Sequence, residues 1–273
     1  MPITSTYLLE YTPAEADRLL AMAGLMAPEV RSACGRAGLQ PGGRAIDVGC
    51  GPLGALTTLR EMVGPDGFVV GLDANADAVE AARAIVDRLG FSNIQVVNAD
   101  INDPSAATGE PGLFDLAFCR LVLMHQSDPV QTMTRITELL RPGGALVAFD
   151  MLRGPLLDPS CPSVDRAWQL LWDGMRSVGA HPETSRRYAS IAAEAGLEIV
   201  SQRGVFLPVP PVAAIGETTR LLRAASAAII AREVATGAEI ETLLHQMQVE
   251  QSVVQFATTP IAVELVARKP TRV

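Results

Sequence analysis

Arg44-Ala-Ile-Asp-Val-Gly-Cys-Gly-Pro-Leu-Gly54 is the stretch that decides the fold. Its first five residues predict a buried β-strand, and its glycines allow a tight turn into a helix predicted over residues 53–63. Main-chain amides at the start of a helix favour a polar or negatively charged ligand group. The stretch therefore predicts a ligand-binding turn between a strand and a helix.

Short apolar runs alternate with amphipathic stretches on either side of this turn. Strands are predicted over residues 44–48, 68–73, 94–100, 114–119, 145–150, 197–207 and 261–269. Helices are predicted between them, among them residues 76–89, which end at Gly90, and residues 129–140, which begin at Pro129. Alternation of apolar strands with helices of about 10–15 residues predicts an α/β fold, whose mainly parallel sheet has helices on both faces.

The alternation of predicted strands and helices is interrupted after Asp150 and again after residue 211. These interruptions predict helical cap insertions. The predicted units are an N-terminal helical lid (1–40), a core (41–150), a cap insertion (151–184), a core continuation (185–211), a helical cap insertion (212–258) and a final strand with its tail (259–273). The first insertion carries Trp168, Leu171, Trp172 and Met175 on one face of a helix. That stripe fits either core packing or the apolar wall of a pocket.

Composition and charge exclude several classes of protein. Hydrophobic residues make up 48% of the 273 residues, which is enough for a sizeable core. The 22 basic and 30 acidic residues give a net charge of −8 without a basic run, so a nucleic-acid partner is not expected. The apolar stretch 224–231 is far shorter than the roughly 20 residues of a membrane-spanning helix. No membrane association is therefore predicted.

The chain termini and the cysteines give expectations about location. The first residues lack the basic start of a signal peptide, and Cys34, Cys50, Cys119 and Cys161 are too widely spaced for a zinc site or a disulfide framework. We therefore expect a cytoplasmic protein without a metal site. A homo-oligomer is compatible with the sequence.

Three acidic residues, Asp47, Asp73 and Asp100, belong to three successive predicted strands. Carboxyl ends of parallel strands meet at one edge of a sheet, so these residues should converge where open α/β folds bind ligands. A carboxylate at Asp73 can accept hydrogen bonds from both hydroxyls of a ribose. Gly49, Gly51 and Gly54, followed by Asp73, also fit a dinucleotide site, so a nicotinamide or flavin cofactor remains an alternative.

Five segments in order give a more specific indication. They are AIDVGCG (45–51), VVGLDAN (69–75), VVNADIND (96–103), FDLAFCRLVLMHQSDP (114–129) and LLRPGGALVAFD (139–150). Together they resemble the class I S-adenosylmethionine-dependent methyltransferases over about residues 41–150 and 185–269. The resemblance implies a Rossmann-like, seven-stranded sheet in which the last strand is antiparallel and lies between the fifth and sixth strands.

The resemblance also implies roles in binding S-adenosylmethionine. Gly49 and Gly51, with Cys50 between them and Asp47 before them, would line the methionine part. Asp73 would bind the ribose, Ala74 and Asn75 would lie beside the adenine, and Asp100 with the amide of Ile101 would contact the adenine edge. Cys119 and Arg120 would lie under the cofactor, and Tyr7 and Tyr11 of the N-terminal segment would be lid contacts or packing aromatics.

One position departs from the family pattern: the third glycine of the usual GxGxG is Leu53 here, and Gly54 follows one place later. A side chain at this point could narrow the cofactor site.

Methyl transfer requires alignment of the reactants and exclusion of water, and a base only if the nucleophile must lose a proton. Candidate catalytic or orienting residues are His125, after the fourth strand, and His181, in the first insertion. Each is also compatible with capping, packing or surface exposure.

The sequence thus predicts a methyltransferase that acts on an oxygen, nitrogen or carbon nucleophile of a small, partly apolar molecule, in the setting of secondary metabolism. The alternatives are an NAD(P)-dependent oxidoreductase and a protein that binds S-adenosylmethionine without transferring its methyl group.

Overall fold

A computed structural model describes residues 8–9, 11–103 and 112–271, and this part of the chain forms one mixed sheet flanked by helices. The strands are β1 (Arg44–Val48), β2 (Phe68–Asp73), β3 (Ile94–Asn98), β4 (Phe114–Arg120), β5 (Leu140–Asp158), β6 (Glu198–Val205), β7 (Pro208–Val209) and β8 (Phe256–Arg268). The helices are α1 (Pro13–Ala37), α2 (Leu56–Val63), α3 (Ala76–Leu89), α4 (Pro129–Leu139), α5 (Pro162–Ser177), α6 (Tyr188–Glu194), α7 (Pro211–Ala231) and α8 (Gly237–Glu250).

The strand order is β3-β2-β1-β4-β5-β8-β6. Strands β1 to β5 are parallel to their neighbours in this group, whereas β8 is antiparallel to both β5 and β6. This confirms the predicted α/β fold and the predicted place of the last long strand. The additional strand β7 has two residues and pairs with β8.

Strand β5 is longer than predicted. The sequence suggested a strand over residues 145–150 and a cap insertion from residue 151, but β5 continues to Asp158, opposite Phe256 of β8. Gly154 and Pro155 are loop signals in isolation. Here they lie where the pairing register shifts, and such irregularities tolerate proline and glycine in a strand. The first cap therefore departs from the sheet after Asp158.

Local signals set several helix ends. The side chains of Thr12, Asn75 and Asp128 accept hydrogen bonds from main-chain amides at the starts of α1, α3 and α4. Gly38 and Gly90 end α1 and α3 in the left-handed conformation that glycine adopts without strain. These signals explain why the predicted bounds of α3 agree with those observed.

Apolar side chains form a core on each face of the sheet and a third core in the cap. Phe118 and Phe149 belong to the cluster beneath α1, α2 and α3, and Ile46 belongs to the cluster beneath α4 and α6. Trp168 and Met247 belong to the third cluster, which joins α5, α7 and α8. The cap helices thus form a packed unit of their own. No helix of the described residues is both long and apolar enough to cross a membrane.

An ion pair attaches α1 to the sheet. Glu264 of β8 is fully buried, and its Oε1 accepts a hydrogen bond of 2.5 Å from Nη2 of Arg36, which is partly exposed. A buried carboxylate depends strongly on such a partner, because removal of the partner leaves the charge uncompensated.

We expect Arg36→Met to lower the free energy of unfolding by about 3–5 kcal/mol, because it leaves the Glu264 carboxylate buried without its ion-pair partner. Urea denaturation measures this effect. Arg31→Met is the matched control, since Arg31 pairs with Glu61 at the exposed surface and its loss should cost less than about 1 kcal/mol. Equal losses in the two variants would contradict this account of the pair.

Candidate functional site

The loop between β1 and α2 is held by a buried carboxylate. Asp47 is buried, and its Oδ2 accepts a hydrogen bond of 2.6 Å from the amide of Ala55. Gly54 has φ +49°, and a Cβ at this position would lie 2.3 Å from Asp47 Oδ2. The loop closes around the carboxylate because Gly54 has no side chain.

Asp73 connects this loop to the loop after β2. Its Oδ2 accepts a hydrogen bond from the amide of Gly51, and its Oδ1 accepts one from the amide of Asn75, both at 2.8 Å. Burial raises the pKa of Asp73, and these two hydrogen bonds oppose the rise. Each carboxylate oxygen keeps further acceptor capacity for a ligand.

A cavity of about 1590 Å³ lies at this edge of the sheet and extends to the cap helices. Twelve of the predicted site residues line it: Tyr11, Asp47, Gly49, Cys50, Gly51, Asp73, Ala74, Asn75, Asp100, Ile101, Arg120 and His125. The three acidic residues that the sequence placed at one sheet edge therefore share one cavity. Tyr7 lies outside the described residues.

Two predicted site residues do not line the cavity. Cys119 is buried in the core beneath α4 and α6, because side chains alternate along β4 and its neighbours Phe118 and Arg120 take the cavity side. His181 is exposed, and its Nε2 lies 3.1 Å from the carbonyl oxygen of Ser127. Their roles stay predictions, Cys119 as a residue under the cofactor and His181 as a candidate catalytic residue.

Arg120 is the last residue of β4 and lines the cavity. Burial lowers the pKa of its guanidinium, and the nearby Asp47 carboxyl acts in the opposite direction. Its Nη1 is buried, and no residue in the described part of the chain hydrogen-bonds to it. Arg120 thus brings a buried donor without a protein partner to the wall of the cavity.

His125 lies one short turn beyond Arg120. Burial, aided by the charge of Arg18, lowers the pKa of its imidazole to about 4. The imidazole is therefore neutral at pH 7. A pKa so far below the working pH makes His125 a weak general base, and a neutral ring is better suited to orient a ligand.

Asp150 supports the segment that carries His125. Its buried Oδ2 accepts a hydrogen bond of 3.0 Å from the amide of Met124, within the 3₁₀ turn Leu123–His125. Burial raises the pKa of Asp150 to about 7, although hydrogen bonding lowers it. Sequence reasoning did not identify this residue, because the distance of 26 residues to Met124 leaves no local pattern.

Arg18 is a second residue that sequence reasoning missed. It lies on α1, lines the cavity, and donates two hydrogen bonds to Glu15, at 2.7 and 2.6 Å. It also donates one of 2.9 Å to Glu217 of α7. The spacing of Glu15 and Arg18 is visible in the sequence, but the contact with Glu217 spans 199 residues. Arg18 thus links the lid helix to the cap.

The cap supplies an apolar wall. Trp168, Leu171, Trp172 and Met175, the stripe identified in the sequence, all line the cavity and also belong to the cap core. Trp168 Nε1 donates a hydrogen bond of 3.1 Å to Oγ1 of Thr218. Trp172 Nε1 is buried and has no hydrogen-bond partner among the described residues. The stripe is thus both core and pocket wall.

The departure at Leu53 does not narrow the site, because Pro52 and Gly54 line the cavity whereas Leu53 does not. Within residues 8–9, 11–103 and 112–271, no group of three His, Cys, Asp or Glu side chains is arranged to hold a metal ion. The four cysteines are free thiols and are buried.

Comparison with known proteins identifies the family. Residues 39–196 match a family model described as a methyltransferase domain, which covers more than half of the chain. The chain belongs to the class I S-adenosylmethionine-dependent methyltransferase family. This assignment favours S-adenosylmethionine over the nicotinamide or flavin alternative.

Related proteins agree with the family. Nocamycin O-methyltransferase of Saccharothrix syringae is 32% identical over 186 residues, which are 68% of this chain and 59% of that protein. The chain spans about 30% to 65% of the length of three curated relatives that it matches, this one included.

Solved structures agree with the fold. A geranyl diphosphate methyltransferase in complex with S-adenosylmethionine has a TM-score of 0.57 at 16% identity, covering 94% of this chain and 91% of that one. The cyclase SpnF has a TM-score of 0.58 at 19% identity, covering 90% of this chain and 82% of that one.

We expect Gly54→Ala to disrupt the glycine loop, because the new Cβ would meet Asp47 Oδ2 and the left-handed backbone alone costs about 1–2 kcal/mol. Thermal unfolding measures the loss. The matched control is Gly216→Ala in α7, where nothing lies within 4 Å of the added carbon. This control should stabilise the helix by roughly 0.5–1 kcal/mol. A Gly54→Ala protein as stable as the native one would contradict the packing described for the loop.

A second prediction concerns pH. The native pKa of Asp150 is raised to about 7 from an unfolded value near 3.9, so the folded protein retains a proton that the unfolded chain has lost. The corresponding stability is fully present below about pH 4 and is lost as the pH rises through about 7. Asp150→Asn, which keeps an oxygen acceptor for Met124, should flatten this loss by up to about 1.4 kcal/mol per pH unit.

Asp115→Asn is the control of opposite sign. Although burial alone would raise the pKa of Asp115, hydrogen bonds from Arg44 and Arg141 lower it. Its contribution to stability is therefore present above the unfolded pKa and is lost as the pH falls. Denaturation curves between about pH 2 and 8, measured without ligand, test both variants, because the Asp115 contribution is lost only below its unfolded pKa. An unchanged pH profile in Asp150→Asn would rule out the assigned protonation.

Proposed function

We propose that this protein transfers a methyl group from S-adenosylmethionine to a small, partly apolar molecule. The observation that carries the proposal is a single cavity in which the glycine loop and Asp73 face the apolar cap wall around Trp172. One half of the cavity is polar and built from main-chain loops, whereas the other half is built from apolar helix faces. Such a division suits a nucleotide-like cofactor and an organic acceptor held side by side.

The residues of the polar half fit the cofactor. A Cβ on Gly51 would protrude toward Leu19 of α1, 3.8 Å from its Cδ1, so the glycine leaves a cradle between the loop and the lid. When bound, S-adenosylmethionine supplies a methyl group on a positively charged sulfur. Gly49, Cys50 and Gly51 would hold its methionine part, above the carboxyl of Asp47.

The nucleoside part would lie farther along the sheet edge. Asp73 would accept hydrogen bonds from the ribose hydroxyls, with Ala74 and Asn75 beside the adenine. Asp100 and Ile101 would contact the edge of the adenine. Asp100 Oδ1 already accepts a hydrogen bond of 2.9 Å from the amide of Asn102, which orders this loop.

Tyr11 would close the lid above the ribose. Burial raises the pKa of its phenol, with a smaller contribution from Asp73. Its hydroxyl is buried and has no partner in the described part of the chain, so it can hydrogen-bond to a ligand.

Catalysis would rest on alignment and exclusion of water. The lid helix α1 and the cap helix α7, joined by Arg18 and Glu217, would shield the reacting atoms from solvent. His125, neutral at pH 7, would orient the acceptor instead of removing its proton. Correct orientation can supply up to about 7–11 kcal/mol of barrier reduction.

An oxygen acceptor from secondary metabolism is the preferred substrate class. The relative from Saccharothrix syringae is named as a nocamycin O-methyltransferase, and the apolar wall of the present cavity suits a similarly organic acceptor. A cytoplasmic location accords with the four free thiols. A homo-oligomer remains compatible with this function.

The alternative function is to bind S-adenosylmethionine without transferring its methyl group. The fold shared with the cyclase SpnF supports this alternative. Incubation with S-adenosylmethionine labelled in its methyl group and a panel of phenols, carboxylic acids and amines separates the two. Labelled product supports transfer, whereas cofactor binding without labelled product across the panel favours the alternative.

We expect Asp73→Ala to weaken binding of S-adenosylhomocysteine at least tenfold in calorimetry, because hydrogen bonds to a charged group contribute about 1.5–3 kcal/mol. Asp77→Ala is the matched control, since Asp77 lies four residues later in the exposed first turn of α3 and outside the cavity. NADH should not bind to either protein. Equal affinity of the native and Asp73→Ala proteins for S-adenosylhomocysteine would remove the basis of the cofactor assignment.

A further inference from the structure

We propose that the acceptor is bound as an oxygen anion, either a carboxylate or an ionised phenol or enol, by the guanidinium of Arg120. This inference rests on the proposed function and names the chemical class of the acceptor. Three features carry it: a buried donor that lacks a protein partner, the paired carboxylate of Glu217, and the absence of any need for a base. Glu217 lies in the cap chamber, the part of the cavity that is lined by Trp168, Trp172 and Glu217 of the cap helices.

The first feature is Nη1 of the Arg120 guanidinium, which has no hydrogen-bond partner among the described residues although the Asp47 carboxyl lies nearby. Arg120 lines the cavity, and its Nη1 is buried without a partner among the described residues. A buried donor left without a partner is costly, and more so when it is charged. The planar guanidinium matches a carboxylate or another oxygen anion better than it matches a neutral group.

The second feature is the charge balance of the cap chamber. The carboxylate of Glu217 accepts hydrogen bonds from Arg18 and Arg220, both at 2.9 Å, so it is committed to protein cations. Trp172 also lines this chamber, and its Nε1 is a second buried donor without a partner among the described residues. Both unused atoms are donors, so a ligand that reaches them would supply acceptor atoms, such as the oxygens of an anion.

The third feature concerns the proton. An acceptor that enters as an anion needs no base, which agrees with the neutral imidazole of His125 in the same cavity. The oxygen of the anion would form a C–O bond to the methyl carbon with its own electron pair. The C–S bond would break, its electron pair would remain on sulfur, and the positive charge of the sulfur would be neutralised. No proton moves in this step, and no further reactant is needed.

The amino-acid carboxylate of the cofactor is a rival source of the same chemistry. It would lie on the side of the glycine loop and could satisfy Arg120, but it would leave the donor of Trp172 in the cap unused. An acceptor with oxygen atoms can satisfy both. The experiment below therefore contains one arm for the acceptor and one for the cofactor.

The acceptor arm uses two probes of nearly the same shape, 2-naphthoate and 2-naphthamide, of which only the first is an anion. Calorimetry on protein saturated with S-adenosylhomocysteine should show 2-naphthoate binding at least roughly tenfold more tightly. In Arg120→Met this preference should fall to within about twofold, and Arg120→Lys should retain part of it, because the charge remains without the planar fork.

Arg176→Met is the matched control, since Arg176 is exposed, pairs with Asp173 and lies outside the cavity lining. The preference for 2-naphthoate should survive in this variant. Thermal unfolding of each variant shows whether it is folded, and the comparison of the two probes on the native protein requires no variant. Equal binding of the two probes to the native protein would overturn the proposal while leaving the proposed function intact.

The cofactor arm compares S-adenosylhomocysteine with 5′-methylthioadenosine, which lacks the amino-acid part. If Arg120 serves the acceptor, Arg120→Met changes the affinity for both nucleosides by less than about twofold. A tenfold loss for S-adenosylhomocysteine alone would assign Arg120 to the cofactor and overturn the proposal. Failure of the native protein to bind S-adenosylhomocysteine would instead refute the proposed function, and this inference with it.

Discussion

The hydrogen bond from the amide of Ala55 to the buried carboxyl of Asp47 is the constraint on which the site depends. It draws the chain after β1 into a closed loop, and the lack of a side chain at Gly54 makes room for that closure. Asp73 then bonds the loop to the chain that follows β2. Two carboxylates thus hold the loop after β1 and the loop after β2 together at the carboxyl edge of the sheet.

The sheet and the cap form different parts of the cavity around these loops. Parallel strands β1 to β4 deliver polar loops to one edge, and the long antiparallel pairing of β5 with β8 carries the cap beyond that edge. The lid helix α1 is held at one end by Glu264 of the sheet and at the other by Glu217 of the cap. The cavity therefore lies between elements that are distant in sequence but joined by buried or half-buried ion pairs.

Local chemistry explains which parts of this arrangement could be predicted. The capped helix α3 carries its signals within a few residues, so its bounds were predicted. The turn around Gly49 and Gly51 was predicted as well, but it extends farther than expected, because α2 begins at Leu56 and not at residue 53. The outer half of β5 was not predicted, because only pairing with β8 makes a strand of a segment that contains Gly154 and Pro155. The alternation along β4 turns Cys119 away from the cavity, whereas the resemblance implied that this residue lies under the cofactor.

The site residues follow the same division. Acidic residues at strand ends were predicted, because the edge of a parallel sheet brings them together. Arg18 and Asp150 were not, since their partners lie far away in the chain. The role of His125 depended on burial, which lowers the pKa of its imidazole to about 4 and which no sequence pattern shows.

A crystal structure of the complex with S-adenosylhomocysteine tests the central claim most directly. The account predicts the ribose hydroxyls within hydrogen-bond distance of Asp73, the adenine beside Asp100 and Ile101, and the thioether sulfur directed toward the cap chamber. A ligand bound elsewhere on the molecule, or bound in this cavity with its ribose away from Asp73, would contradict the account.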